Sequence, residues 1–270
     1  MVKHFLLLSL CFFLAGRAFG SNSRLGLELL PKGRPFRLTF TDPREIRMGI
    51  NFQGNSVINA TVGNYFSLLG IEPAESNPEE PKKGFHFGLE GAGYFTMRQA
   101  EKRFPLETAD GLIGAYFEGA YGDWQAQLRM THISAHLADG SSATPIAYSR
   151  EFIALRFGYV PYQELQVFGG IHYLVNSIPQ LRPWTFQLGS SYFIPINYSL
   201  VPFAGFDLKW RQESPVNPSF QVMLGLALNN PPESYHSFRF YYAYYTGADA
   251  RGQFYNQVVT THTVGIDMQI

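Results

Sequence analysis

The chain has a single cysteine in 270 residues, Cys11, and it sits inside an N-terminal apolar run. No disulfide can form within it, and without small residues preceding Cys11 a lipoprotein site is not implied. A cysteine-free mature chain suits an oxidising periplasm. Charge is also scarce, at 16% of residues against about 25% in ordinary soluble domains. Lys+Arg and Asp+Glu are equal at 21 each, which gives no electrostatic case for nucleic acid or a strongly anionic partner. After residue 20 no apolar run is long enough for a membrane helix. A mature chain that spans a membrane must therefore do so as a closed barrel, because only helices and closed barrels satisfy every backbone group in lipid.

What the chain does have is aromatic residues, 24 Phe and 16 Tyr. At the N-terminus Met1, Lys3 and His4 precede an apolar run from Phe5 to Leu14, followed by Ala18-Phe19-Gly20 before Ser21. This pattern predicts a secretory signal peptide over residues 1–20, cleaved after Gly20, and hence an exported protein. Residues 21–44 read as an irregular periplasmic lead-in and 45–270 as the barrel. Within the barrel, 71–83 contains Pro73, Pro78, Glu79, Glu80 and Pro81 and is expected to be a polar connection rather than a strand.

Alternation predicts strands near 46–52, 57–66, 84–98, 109–121, 124–134, 149–160, 165–175, 184–193, 199–211, 217–228, 236–246 and 257–270. Twelve is an even number, as single-chain bacterial barrels require. In one strand Ala204, Phe206, Leu208 and Trp210 oppose Gly205, Asp207, Lys209 and Arg211. Period two puts these sets on opposite faces. Glu90, Glu118, Arg129, Arg150, Arg156, Asp207, Lys209, Arg239 and Asp267 all fall on the non-apolar parity, where they would pair across a narrow lumen. The predicted fold is all-β: a single closed antiparallel transmembrane barrel in the outer membrane of a Gram-negative-type bacterium.

The stretch from Ile113 to Tyr159 carries the chemistry. Gly122-Asp123 is a two-residue hairpin signal between alternating runs. Trp124, Ala126, Leu128 and Met130 take the apolar face, and the next residues on that face are His132, Ser134 and His136. On the returning strand Ile153, Leu155 and Phe157 share a face with Glu151 and Ser149. Counting strands back from the C-terminus makes the Gly122-Asp123 turn periplasmic and the 135–148 loop extracellular, which places these polar residues at the outer leaflet. Residues two apart on a strand lie roughly 6 to 7 Å apart, a gap a His side chain spans. His132 would act as base towards Ser134, with Glu151 fixing the imidazole. A symmetric hairpin pairs Glu151 with His132, and the next allowed register pairs it with Ser134; Ser149 and His136 are substitutes. Loop amides around Ala138 to Ser141 are candidates for an oxyanion hole. The competing reading is that Glu151 sits in the headgroup zone beside a loop cation.

Asp42-Pro43-Arg44-Glu45, His132 to Asp139, Tyr148-Ser149-Arg150-Glu151, Phe206-Asp207-Leu208-Lys209 and Gly252-Gln253-Phe254-Tyr255 resemble a bacterial family of outer-membrane proteins classed only as a domain of unknown function. The resemblance implies a β-barrel and brings no established activity. Ala135 and Ala138 depart from its His-Ser-Ser-His-Leu-Gly pattern, and Ala147 stands where an Asn commonly precedes Tyr-Ser-Arg-Glu. The site alone is similar to those of outer-membrane lipid A deacylase and outer-membrane phospholipase A, which carry His-x-Ser on a lipid-facing strand. The function this implies is an acyl hydrolase acting on lipid A or phospholipid. A structural or adhesive barrel and a narrow channel are the alternatives.

No cofactor is read from the sequence, and calcium dependence and oligomeric state stay open. Partners are outer-membrane lipids and the barrel assembly machinery, with no nucleic acid. His86, His172, His236 and His262 have no ligand spacing and read as lumen or interface residues. Tyr241, Tyr242, Tyr244 and Tyr245 read as an aromatic girdle rather than a sugar platform. Asp139-Gly140 and Gly247-Ala248-Asp249 read as turns rather than calcium loops.

Overall fold

A computed structural model describes residues 25–54, 56–73, 84–196, 199–214, 218–228 and 238–269. The expected signal peptide, most of the 71–83 connection, His236 and Ile270 lie outside them. The strands are β1 (Leu25–Leu29), β2 (Met48–Gln53), β3 (Val57–Pro73), β4 (Gly84–Arg98), β5 (Leu106–Tyr121), β6 (Trp124–Leu137), β7 (Ser149–Tyr162), β8 (Leu165–Ile178), β9 (Trp184–Phe193), β10 (Leu200–Arg211), β11 (Ser219–Leu228), β12 (Phe238–Ala248) and β13 (Val258–Met268). Each of β2 to β13 pairs antiparallel with the next, and β13 pairs with β2. The result is a closed barrel of twelve strands, as the alternation predicts. Closure leaves no sheet edge to be satisfied by lipid.

Side-chain parity follows the sequence. Phe66, Ile113, Phe117, Leu128, Met130, Phe157, Leu188 and Val264 are exposed on the outer wall, while Glu90, Glu118, Arg129, Arg156, Asp207, Arg239 and Asp267 are buried in the lumen. The tyrosine cluster divides between the two faces. Tyr241 and Tyr245 are buried inward, whereas Tyr242 lies exposed and bonds His262 Nδ1 at 2.6 Å.

Two expectations are corrected. β3 continues to Pro73, because β1 pairs with its last five residues from Leu69 to Pro73. Ile71 to Pro73 are therefore strand, not connection. β1 lies on the same edge of β3 as β2, since Ile71 bonds β4 on the other edge. β1 and β2 thus form one interrupted first strand. The interruption begins at Leu30 (φ 54) and Pro31, followed by Gly33 (φ 81) and Pro35. Proline removes ladder donors and positive φ turns the chain out of the sheet.

The second correction concerns the residues between them. The later part of the expected periplasmic lead-in lies inside the barrel, where Phe36, Leu38, Thr39, Phe40, Thr41 and Asp42 are buried together with Glu45, Ile46 and Arg47 that follow it. Its apolar side chains complete two clusters: Phe40 with Phe193, Phe203 and Met223, and Leu38 and Ile46 with Tyr65, Tyr94, Tyr116 and Ile133. Its charges complete the lumen network. Arg34 pairs with Glu118 at 2.9 Å, Arg44 with Asp110 at 3.0 Å, Arg47 with Asp267 at 3.1 Å, Arg156 with Glu45 at 2.7 Å and Lys209 with Asp42 at 2.6 Å. Arg129 with Glu90 at 2.8 Å and Arg239 with Asp267 at 2.7 Å are the wall-to-wall pairs of the kind the sequence predicts. Arg150 pairs with Glu213 of the β10–β11 loop. A buried charge must be paired to be tolerated, and this internal segment supplies one member of five of these eight pairs.

Candidate functional site

The β5–β6 turn is the two-residue Gly122-Asp123, with Gly122 at φ 58. This turn sets the phase of β6, so Trp124, Met130, His132 and Ser134 share the outer face. The β6–β7 hairpin adopts the symmetric register, His132 opposite Glu151 and Ser134 opposite Ser149. His132 Nδ1 lies 2.8 Å from Glu151 Oε1, and the Ser149 hydroxyl donates to the same oxygen at 3.3 Å. A carboxylate only accepts, so Nδ1 carries the proton of this bond, and in the neutral tautomer the Nε2 lone pair is the one left to act as a base. The pair is half-exposed, with His132 side-chain accessibility at 43%. It sits at the loop end of an apolar wall, above the exposed Ile113, Met130 and Ile153.

The third member is not engaged. Among the described residues the Ser134 hydroxyl makes no hydrogen bond, its nearest cross-strand neighbour on β5 being Gly111. His136 is exposed near the end of β6, opposite Ala109. The candidate oxyanion amides are occupied: Ala138 N donates to Glu107 O, Gly140 N to Leu106 O and Ser141 N to Ala138 O, at 2.8 to 2.9 Å. The loop spends these three on its own folding, so they offer nothing to an oxyanion.

Sequence reasoning also missed Asn176. The β7–β8 register shifts between Glu151 and Phe152. One extra residue, Val175, bulges outward and brings Asn176 opposite Glu151. Bulges of this kind re-aim side chains beside functional sites, and period-two counting cannot anticipate one. The lumen residues Glu118, Arg129, Arg150, Arg156, Asp207 and Lys209 lie on the opposite side of the wall from His132. They hold the interior together and do not contribute to the outward site. Among the described residues no cluster of His, Cys, Asp and Glu could hold a metal ion.

A family model described as a protein of unknown function, DUF1207, matches residues 18–269. The chain belongs to the DUF1207 family. Comparison with curated proteins gives no match. Among solved structures, the DUF1207 chain is similar to an active-site mutant of outer membrane phospholipase A from Escherichia coli, with a TM-score of 0.51 and 14% identity over 88% of this chain and 92% of that one. It is similar also to the calcium-bound dimer of the Salmonella typhi outer membrane phospholipase, with a TM-score of 0.51 and 14% identity over 89% and 94% of the two chains. At this identity the likeness is one of fold: this DUF1207 member has the closed β-barrel fold of outer-membrane proteins.

Proposed function

We propose that this barrel is an acyl hydrolase working on its lipid-facing wall, with Ser134 as nucleophile, His132 as general base and Glu151 as the residue that orients His132. The observation carrying the reading is the His132–Glu151 bond of 2.8 Å on an outward face that is otherwise apolar. A structural ion pair gains little from being placed in a wall against lipid, whereas a base and its orienting carboxylate there meet ester bonds directly. The solved phospholipase structures support the fold on which such a site is built, and the chemistry rests on the residues here.

Rotation of the Ser134 side chain would bring its hydroxyl towards Nε2, two residues away on the same strand face. In the acylation step Ser134 Oγ attacks the ester carbonyl carbon of a lipid acyl chain. Its proton passes to His132 Nε2 and then to the departing alkoxide, leaving an acyl-serine and a free alcohol. Water deprotonated by His132 releases the fatty acid and restores the serine. Lipid A and phospholipid both carry such esters at the outer membrane.

The lumen weakens the channel alternative. Residues 34–47 pack inside it, beside cavities of about 170 and 90 Å³. Conduction would require that segment to leave, at the cost of its buried ion pairs.

The test uses purified protein folded in detergent micelles containing phospholipid or lipid A, with released fatty acids measured by mass spectrometry. Wild type is expected to release acyl chains. Ser134→Ala should abolish release, and His132→Ala should slow it by about 10²- to 10⁴-fold, the usual contribution of a general base. Glu151→Gln should slow it less. No release from correctly folded wild type would refute the proposal.

A further inference from the structure

The segment Gly252–Phe254, a single 3-10 turn in the β12–β13 loop, reaches across the barrel mouth to the hairpin that carries the site. The Gln253 amide is buried there. Its Nε2 donates to Ala135 O at 2.6 Å and to Ile146 O at 2.9 Å, and its Oε1 accepts from Ile146 N at 3.0 Å. Ala135 directly follows Ser134, and Ile146 lies on the returning arm of the loop. Beyond Ser134–Ser149 the two arms are joined once more by the backbone bond from Ala135 N to Tyr148 O at 3.3 Å. Gln253 then supplies the next cross-link, one that the diverging backbones cannot make themselves.

Gly252 permits this approach. A Cβ there would come within 2.5 Å of Ala135 Cβ and of the Tyr148 ring. Its N–H donates to Asp110 Oδ2 at 3.0 Å, which also takes Arg44 Nη1 of the internal segment at 3.0 Å. The turn is therefore anchored from the lumen side. The sequence singles out Gly252-Gln253 without a role, and the hydrolase reading uses neither residue.

Among the described residues Ser134 has no side-chain hydrogen bond, so its backbone sets its place relative to His132 and Glu151. We propose that Gln253 is a positioning residue: a clasp that fixes the end of the β6–β7 hairpin and with it the Ser134 hydroxyl. It touches neither substrate nor reacting atoms. Its meaning for catalysis rests on the hydrolase reading, while the clasp itself is measurable without it.

The test compares folded full-length wild type, Gln253→Ala and Gln253→Glu, using amide exchange across 135–148 and steady-state hydrolysis of a micellar phospholipid. Both variants lose the two donated bonds. Each is expected to speed exchange in 135–148 by about tenfold, equivalent to about 1.4 kcal/mol, with β10 to β12 unchanged. The kcat should fall by about tenfold with KM unaltered. Unchanged exchange, exchange raised throughout the barrel, or a change in KM alone would overturn the clasp. Faster exchange confined to 135–148 in a protein whose wild type hydrolyses nothing would support the clasp and remove the hydrolase reading.

Discussion

Glu45→Gln removes one charge from the middle of the lumen and changes the side chain's size hardly at all. Glu45 is 1% exposed. Its carboxylate takes Arg156 Nη1 at 2.7 Å, the backbone N–H of Ile46 at 3.1 Å, and the hydroxyls of Thr39 and Tyr65. Arg156 is equally buried, and its remaining partners are neutral: Gln127 Oε1 at 2.9 Å and Thr39 Oγ1 at 3.0 Å, with the Phe36 ring 5.2 Å away. Removing one member of a buried pair leaves the other charge uncompensated, a cost of about 3–5 kcal/mol. Arg156→Met should cost a similar amount. The double variant leaves no orphan charge and should be less destabilised than the sum by about 2 kcal/mol, within the range for residues sharing one network. Equilibrium urea unfolding of the barrel in lipid vesicles, followed by Trp124, Trp184 and Trp210 fluorescence, gives all three values. A Glu45→Gln change within about 0.5 kcal/mol of wild type, together with additivity in the double variant, would show that residues 31–47 are not seated as described.

Gly122→Val places a β-branched residue at φ 58, a conformation costing about 1–3 kcal/mol for such a side chain, and the urea midpoint should fall accordingly without loss of the folded band on unheated gels. At the loop end, burial works to raise the Glu213 carboxyl, yet Arg150 and Arg211 outweigh it and hold that group below its ordinary range. A carboxyl lowered in the fold contributes stability above its unfolded value, about 4.3, and loses it as pH falls through the folded one. The thermal midpoint difference between wild type and Glu213→Gln should accordingly be largest near neutral pH and shrink below about pH 4.3. A difference independent of pH would refute the assignment.

Much of the barrel was legible because period two is unforgiving. A one-residue slip would have put Arg129 and Glu90 into lipid, so parity alone fixed which residues line the wall and which fill the lumen. The Gly122-Asp123 turn fixed the phase of β6, and equal spacing from the loop midpoint paired His132 with Glu151. The interior segment was harder to see. Pro31, Gly33 and Pro35 broke it into what looked like an irregular leader, although Phe36, Leu38 and Phe40 alternate and Asp42-Pro43-Arg44-Glu45 is densely charged for a free tail. Those charges were the missing partners of Asp110, Arg156 and Lys209. Asn176 and Gln253 were hidden for another reason: one depends on a bulge and the other on a contact between loops more than a hundred residues apart.

The proposed hydrolase would use His132, Ser134 and Glu151 on lipid at the outer leaflet. It is tested most directly by mass spectrometry of lipid A and phospholipid from outer membranes carrying the wild-type barrel or its Ser134→Ala variant at matched surface levels. Species lacking one or more acyl chains are expected with the wild type and a fully acylated profile with Ser134→Ala. Identical profiles, with both barrels confirmed folded at the surface, would contradict it.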